Sequence, residues 1–172
     1  MVKVLRADPI AASALRSGKA EQSFFWQDFH GIWGRGRVDW LPTRAKGNRL
    51  IVPDLKSAAS ANPEDFGREP ARKYGYAQSA DWYLRGLRAL GYADRRSVMI
   101  FLVQEKDPPY LLQPIQLDSE SMRVGELLND RALETYDRCL QSGTWPGYHE
   151  GVALASLPGW YITQTLESEW KS

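Results

Sequence analysis

The sequence predicts a domain that mixes helices and strands, an α/β (α+β) fold with a mixed central sheet flanked by helices. Three patterns predict it: side chains alternate over residues 32–40, apolar residues keep helical spacing over residues 76–90, and an apolar run fills residues 98–103. Alternation is typical of a half-buried strand, and an uninterrupted apolar run rich in β-branched residues is typical of a strand buried on both faces. The predicted order of elements is αβββαβ.

The start of the chain predicts a helix and then a strand hairpin. The helix ends at Gly18, the first strand covers residues 23–26, and the second covers residues 32–40 after a turn at 27–31. Because successive side chains of a strand point to opposite faces, one face of the second strand holds a mixed set of polar and aromatic residues. These are Trp33, Arg35, Arg37 and Asp39.

A third strand is predicted after a polar loop. The loop covers residues 42–49, and its basic residues are expected to be solvated or, alternatively, to follow a DNA backbone; they are Arg44, Lys46 and Arg49. The strand at residues 50–56 places Val52, Asp54 and Lys56 on one face.

The second half of the chain predicts a flexible stretch at residues 57–63 and then a strong helix that ends before Gly91. The buried strand at residues 98–103 and a strand at residues 110–117 follow. A final helix is predicted over residues 119–141, and the aromatic tail beyond it has no clear assignment.

Composition restricts the classes of protein to consider. A chain of 172 residues predicts a single domain over residues 1–172. The one cysteine, Cys139, excludes a disulfide framework and a four-cysteine cluster, and is expected to pack in the core. A formal net charge of +1 means that any contact with nucleic acid depends on local clusters of basic residues. With no secretory signal and no apolar run of spanning length, the sequence predicts a cytoplasmic protein without membrane contact.

The candidate chemistry lies in two acidic residues on neighbouring strands. Asp39 and Asp54 can converge on one hard divalent cation, and the backbone carbonyl of Leu55 is a plausible third ligand. Oxygen donors of this kind suit Mg²⁺, for which Mn²⁺ can substitute. Lys56 projects to the same face as Asp54, where an ammonium group can orient water and stabilise charge on phosphorus.

Other candidates have a structural and a functional interpretation. Arg35 and Arg37 share the face of Asp39, so they either position phosphate groups or form an ion pair with Asp39 or Glu21. Trp33 is expected in the core, with stacking on a base as the alternative. Glu105 and Lys106 are adjacent and therefore face opposite ways, which favours structural roles.

Several segments together resemble the PD-(D/E)XK nuclease superfamily, and more closely the RecE-type (exodeoxyribonuclease VIII-like) and phage-type recombination exonucleases. The segments that carry the resemblance are GKAEQS at 18–23, GRGRVD at 34–39, VPDLKS at 52–57 and YGYAQSADWY at 74–83, with weaker similarity at 103–110 and 145–148. The resemblance implies a restriction-endonuclease-like core. It also implies a shortened helical region before the first strand.

The resemblance implies a role for each matching residue. Asp39 and Asp54 would be metal ligands and Lys56 the catalytic lysine. Gln78 would match the glutamine of the following helix that contacts DNA or the active-site network, with Tyr83 in support. Glu21 would be an additional acid that helps to hold a metal.

The resemblance also implies an activity. It implies a Mg²⁺-dependent exonuclease that digests double-stranded DNA ends in the 5′→3′ direction during phage-type recombination. A single-strand annealing recombinase is the implied partner, and a ring-like homo-oligomer would give processivity. Two alternatives stay open: an impaired nuclease fold that binds DNA or a recombinase without cutting, and a different PD-(D/E)XK endonuclease.

Overall fold

The computed structural model describes residues 1–43 and 49–169, so the loop residues Arg44 and Lys46 lie outside the described part. The elements in chain order are α1 (Val2–Ala7), α2 (Pro9–Ala14), β1 (Gly18–Gln27), β2 (Trp33–Pro42), β3 (Ile51–Ala58), α3 (Pro63–Arg68), α4 (Pro70–Lys73), α5 (Tyr76–Ala89), β4 (Val98–Glu105), β5 (Leu112–Ile115), α6 (Ser119–Ser142) and α7 (Gly159–Glu169). None of the helices in this part of the chain is long and apolar enough to cross a membrane.

The contacts divide the chain into two compact units, Met1–Arg138 and Cys139–Ser172. All the strands named above belong to the first unit, which also contains the candidate site. The division does not show that either unit folds independently. The single domain predicted over residues 1–172 therefore stays a prediction.

The predicted fold class, a mixed α/β fold flanked by helices, is confirmed. Strands β1 and β2 form an antiparallel pair, and β3, β4 and β5 form a mixed sheet in which β3 is parallel to β4 and β5 is antiparallel to it. The strands therefore form two ladders where one central sheet was expected. β2 and β3 are neighbours, and a side chain of β2 bonds to the backbone of β3 at the point where they meet.

Glycines in β2 let the hairpin pack closely on α5. A Cβ atom at Gly34 would lie 2.5 Å from the ring of Trp26, and one at Gly36 would lie 2.5 Å from the ring of Phe24. Both rings also lie against Gly86 of α5, where a Cβ would come within 2.6 Å of Trp26. Any side chain at these positions would displace the rings, so the glycines hold the hairpin against the helix and thereby position Asp39.

Strand β4 is buried on both faces, as its sequence predicts. Phe101 and Val103 pack in the main core together with Leu84 and Leu87 of α5. The opposite face contributes Ile100 and Leu102 to a second apolar cluster, in which Ala11 of α2 is fully buried. Helices therefore cover both sides of the sheet that carries Asp54.

Several predicted boundaries are wrong, and turn chemistry explains them. The helix that precedes the hairpin is α2, which ends at Ala14. Gly18, predicted to end this helix, instead begins β1. The helical segment before Gly91 is three helices, because Pro63 and Pro70 each begin a new one and Gly75 adopts a left-handed conformation (φ 64°) before α5. The long helix α6, in contrast, ends at Ser142, in agreement with its predicted end at about residue 141.

Candidate active site

Asp39 joins the two ladders through its side chain. It lies in β2, half-buried, and its Oδ2 accepts a hydrogen bond of 2.9 Å from the backbone N–H of Leu55 in β3. Leu55 directly follows Asp54, so this bond brings the first acid beside the strand that carries the second. The bond occupies one carboxylate oxygen of Asp39.

Asp54 is the most deeply buried acidic residue of the site, with 4% of its surface exposed. Its Oδ2 lies in contact with Nζ of Lys56, which is two residues further along the same strand face and is half-buried. Within the described residues, that oxygen has no hydrogen-bond donor besides this ammonium group. The structure therefore brings Asp39, Asp54 and Lys56 together, while their catalytic and metal-binding roles stay predictions.

Burial raises the pKa of Asp54, because a charged carboxylate loses water inside the protein. The hydrogen bond and the positive charge of Lys56 lower this pKa, and the negative charge of Asp39 raises it further. The loss of hydration on burial is the largest of these effects, so the pKa of Asp54 is raised overall. A further positive charge close to this carboxylate would therefore stabilise its ionised form.

Two tyrosines of α5 line the same region. Nζ of Lys56 lies over the ring of Tyr76, 5.3 Å from its centroid, in a cation–π arrangement. Burial raises the pKa of Tyr76 and of Tyr83, and the charge of Asp54 raises the pKa of both further. Tyr83 thus lies near the site, while its role in support of Gln78 stays a prediction. Tyr76 was assigned only to the apolar stripe of the helix. The helical spacing of seven residues places both tyrosines on one face, and this signal could have identified Tyr76.

A cavity of about 250 Å³ opens beside Lys56 and is rich in basic groups. Lys73 and Lys106 line it together with Tyr74 and Tyr76. Lys106 was expected to be structural, and Lys73 was not singled out from the sequence. Glu69 lines the cavity as well, and its Oε1 lies 3.9 Å from Nζ of Lys73. The three lysines still leave an excess of positive charge in the lining, which favours an anionic ligand such as a phosphate-containing polymer.

Gln78 lies toward a different neighbour. Its backbone carbonyl accepts a hydrogen bond of 2.9 Å from Nδ2 of Asn129 in α6, and its side-chain oxygen lies close to Gly75. No hydrogen bond joins Gln78 to Asp39, Asp54 or Lys56 among residues 1–43 and 49–169. Its predicted contact with DNA or with the active-site network stays a prediction.

Glu21 and Arg37 form an ion pair on the outer face of the hairpin. Nε of Arg37 lies 3.1 Å from Oε2 of Glu21, and both side chains are largely exposed. Glu21 lies between Ala20 and Gln22, which pair with Trp40 and Val38 of β2, and its backbone has a positive φ of 52°. The structural alternative for Arg37 is therefore present, and the roles of Glu21 as a metal ligand and of Arg35 and Arg37 in DNA binding stay predictions. Trp33, expected in the core, is instead 68% exposed.

The donor set fits a hard divalent cation with few protein ligands. Asp39 and Asp54 supply carboxylate oxygens, and the backbone of Leu55 lies between them. No group of three or more His, Cys, Asp or Glu side chains suited to a metal occurs in the part of the chain that the structure describes. Mg²⁺ is typically held by one or two carboxylates, with water and substrate phosphates completing its shell, so the residues present fit Mg²⁺ better than a metal that needs a full protein cage.

The chain matches a known protein family and is similar to a solved structure. Residues 1–158 match the model of a family described as a PDDEXK-like domain of unknown function (DUF3799). The fold is similar to the crystal structure of a "putative exonuclease" from Eubacterium rectale, with a TM-score of 0.63 and 15% sequence identity. That similarity covers 94% of this chain but 62% of the other, so the chain spans less than two thirds of that protein. No curated protein matches the sequence significantly.

Proposed function

The chain belongs to the DUF3799 family of PDDEXK-like domains, and from its site we propose that it is a metal-dependent nuclease that hydrolyses phosphodiester bonds in DNA. The observation that carries the proposal is the buried carboxylate of Asp54 in contact with Lys56, with Asp39 held beside it by the N–H of Leu55. Acid, acid and lysine on adjoining strands are the groups that this chemistry requires.

Each residue of the site has its own role in the proposed reaction. Asp39 and Asp54, with the carbonyl of Leu55, would hold Mg²⁺, which when bound polarises the phosphodiester and makes coordinated water more acidic. The ammonium group of Lys56 orients the attacking water and offsets the negative charge that develops on the phosphoryl oxygens. The ring of Tyr76 contacts that ammonium group in a cation–π interaction. The cavity beside Lys56, which three lysines line, attracts the phosphate backbone.

The finer proposal is an exonuclease that digests double-stranded DNA ends in the 5′→3′ direction for phage-type recombination. It is supported by the resemblance of the four sequence segments to recombination exonucleases. The name given to the structural neighbour from Eubacterium rectale agrees with exonuclease activity. A single-strand annealing recombinase as partner and a homo-oligomeric ring are parts of the same proposal.

The test uses linear duplex DNA labelled at either 5′ or 3′ ends, and closed circular DNA, each with Mg²⁺ or with EDTA. The proposal predicts Mg²⁺-dependent digestion of the linear duplex, early release of the 5′ label and an intact circle. Asp54→Asn and Lys56→Ala should each lower the rate at least about 100-fold, since each removes a group that stabilises charge in the transition state.

Asp107→Asn is the matched control, because Asp107 is an exposed aspartate outside the site and should keep the wild-type rate. Undiminished digestion by Asp54→Asn would refute the site. Cutting of the closed circle would identify an endonuclease instead. DNA binding without hydrolysis of any substrate would identify the impaired, DNA-binding alternative.

A further inference from the structure

The outer face of the β1–β2 hairpin exposes aromatic rings beside arginines. Phe25 of β1 is 56% exposed and lies opposite Arg35 of β2, while Trp33 is 68% exposed and lies opposite Gln27. Arg37 continues the same face of β2. The inner face of this hairpin already packs Phe24 and Trp26 into the core, so the outer rings contribute nothing to core packing.

The chemistry of this face suits one kind of ligand. Exposed aromatic rings stack on nucleobases that are not paired, and guanidinium groups bind the phosphates between them. Arg35 has no acidic partner among the described residues, and the exposed ion pair of Arg37 with Glu21 is weak enough in water to exchange for a phosphate. A protein partner would instead favour a continuous apolar patch, which the interleaved arginines interrupt.

The face leads directly to the candidate active site. Asp39 lies on the same strand as Trp33, six residues further along, which corresponds to roughly 20 Å of extended chain. We propose that Phe25, Trp33 and Arg35, with Arg37, form a platform that binds single-stranded DNA and aligns it with the Asp39–Asp54 site. This inference rests on the proposed nuclease function for its biological meaning, but the binding itself can be measured without catalysis.

The experiment measures the binding of a fluorescent oligo-dT by anisotropy in EDTA, where no hydrolysis occurs. Trp33→Ala and Phe25→Ala should each weaken the affinity at least about fivefold, as expected for loss of one base stack. Trp33→Phe should restore most of the affinity, and Arg35→Ala should weaken binding and reduce its dependence on salt. In Trp33→Ala and Phe25→Ala, the affinity for blunt duplex DNA of the same length should fall much less, because its bases are already stacked.

Trp160→Ala is the matched control, since Trp160 is 69% exposed and lies in the other unit of the chain. Arg95→Ala, at another exposed arginine, is the control for charge. Unchanged oligo-dT affinity in Trp33→Ala and Arg35→Ala would overturn the platform, even if Mg²⁺-dependent cleavage is found. A change of oligomeric state in Trp33→Ala by light scattering, with unchanged DNA affinity, would also overturn it and assign the face to a second copy of the chain. Platform binding without cleavage would support this inference while refuting the nuclease.

Discussion

Two buried aspartates of this protein each stand beside a basic side chain, but their surroundings differ. Oδ2 of Asp81 in α5 accepts hydrogen bonds from Arg85 at 3.1 Å and from Asn129 at 2.9 Å, and Arg85 also contacts Asp130 at 2.7 Å. Asp54 in β3 meets the ammonium of Lys56, and within the described residues its Oδ2 has no further donor.

The difference distinguishes a buried charge with a structural role from one for which we propose a functional role. A buried charge with several hydrogen-bond partners fixes the elements around it, and the Asp81 network ties α5 to α6 in this way. A buried charge with too few hydrogen-bond partners lowers the stability of the fold. Proteins retain such destabilising groups where they are needed for function. The raised pKa of Asp54 is the sign of that cost.

The largest expected effect comes from Asp54→Asn, which should inactivate the proposed nuclease while stabilising the fold. Asp54 has its ordinary pKa of 3.8 in the unfolded chain and a raised pKa in the folded protein. The folded state therefore loses stability as the pH rises from the unfolded pKa through the folded one, and the full cost is present above the folded pKa. Asn carries no charge, so the variant escapes this cost.

Urea unfolding in EDTA at several pH values measures the effect. The gap in unfolding free energy between Asp54→Asn and wild type should be absent in acid below the unfolded pKa and should grow with pH to a plateau. Asp107→Asn should show no such gap. A variant that unfolds at lower urea than wild type at neutral pH would contradict the assignment of a strained carboxylate.

The opposite result is expected at Asp81. Asp81→Ala should lower the free energy of unfolding by about 3 kcal/mol, because it leaves Arg85 with only the more exposed Asp130 and removes one of the two acceptors of the Asn129 amide. Asp130→Ala, which removes the more exposed partner of Arg85, should cost less than about 1 kcal/mol. Urea midpoints measure both, and equal losses in the two variants would show that burial does not separate the partners.

The sequence predicted the fold class and which of the candidate residues on regular strands share a face. Alternation placed Asp39 with Arg35 and Arg37, and it placed Asp54 with Lys56, because the period of a strand is local and fixed. The apolar run predicted β4 as a strand buried on both faces for the same reason.

The sequence could not predict features that depend on contacts between distant segments. The bond from Leu55 to Asp39 replaces a ladder between β2 and β3, and it depends on the relative placement of two strands. The position of Gln78 on the side of α6 depends on how two helices pack. Trp33 was expected in the core, whereas it is exposed on the outer face of the hairpin and Trp26 packs in the core from the inner face.

Metal binding gives a smaller effect that sharpens the same comparison. If Asp39 and Asp54 hold Mg²⁺, the ion stabilises the folded state, and a tenfold excess over the dissociation constant adds about 1.4 kcal/mol. For a chain of this size, that raises the melting temperature by about 3–5 °C. Asp54→Asn should lose the increase, and Asp81→Asn should keep it.

Calorimetric melting at constant ionic strength, with Mg²⁺ replaced by Na⁺ in the control, measures this increase. An equal increase in Asp54→Asn and wild type would place the ion elsewhere. That outcome would remove the functional explanation for the incomplete satisfaction of Asp54, since Lys56 would then be the only cation beside it among the described residues.

The smallest expected effect concerns the ring beneath Lys56. Tyr76→Leu removes the cation–π contact, which is worth about 0.5–1 kcal/mol at a partly exposed position, so the cleavage rate should fall about two- to fivefold. Tyr76→Phe keeps the ring and should stay within about twofold of wild type. Tyr161→Leu, at an exposed tyrosine in the other unit of the chain, is the control and should leave the rate unchanged. Equal losses in Tyr76→Phe and Tyr76→Leu would assign the effect to the hydroxyl group, and the site would then need a proton donor that the contact between Lys56 and the ring does not supply.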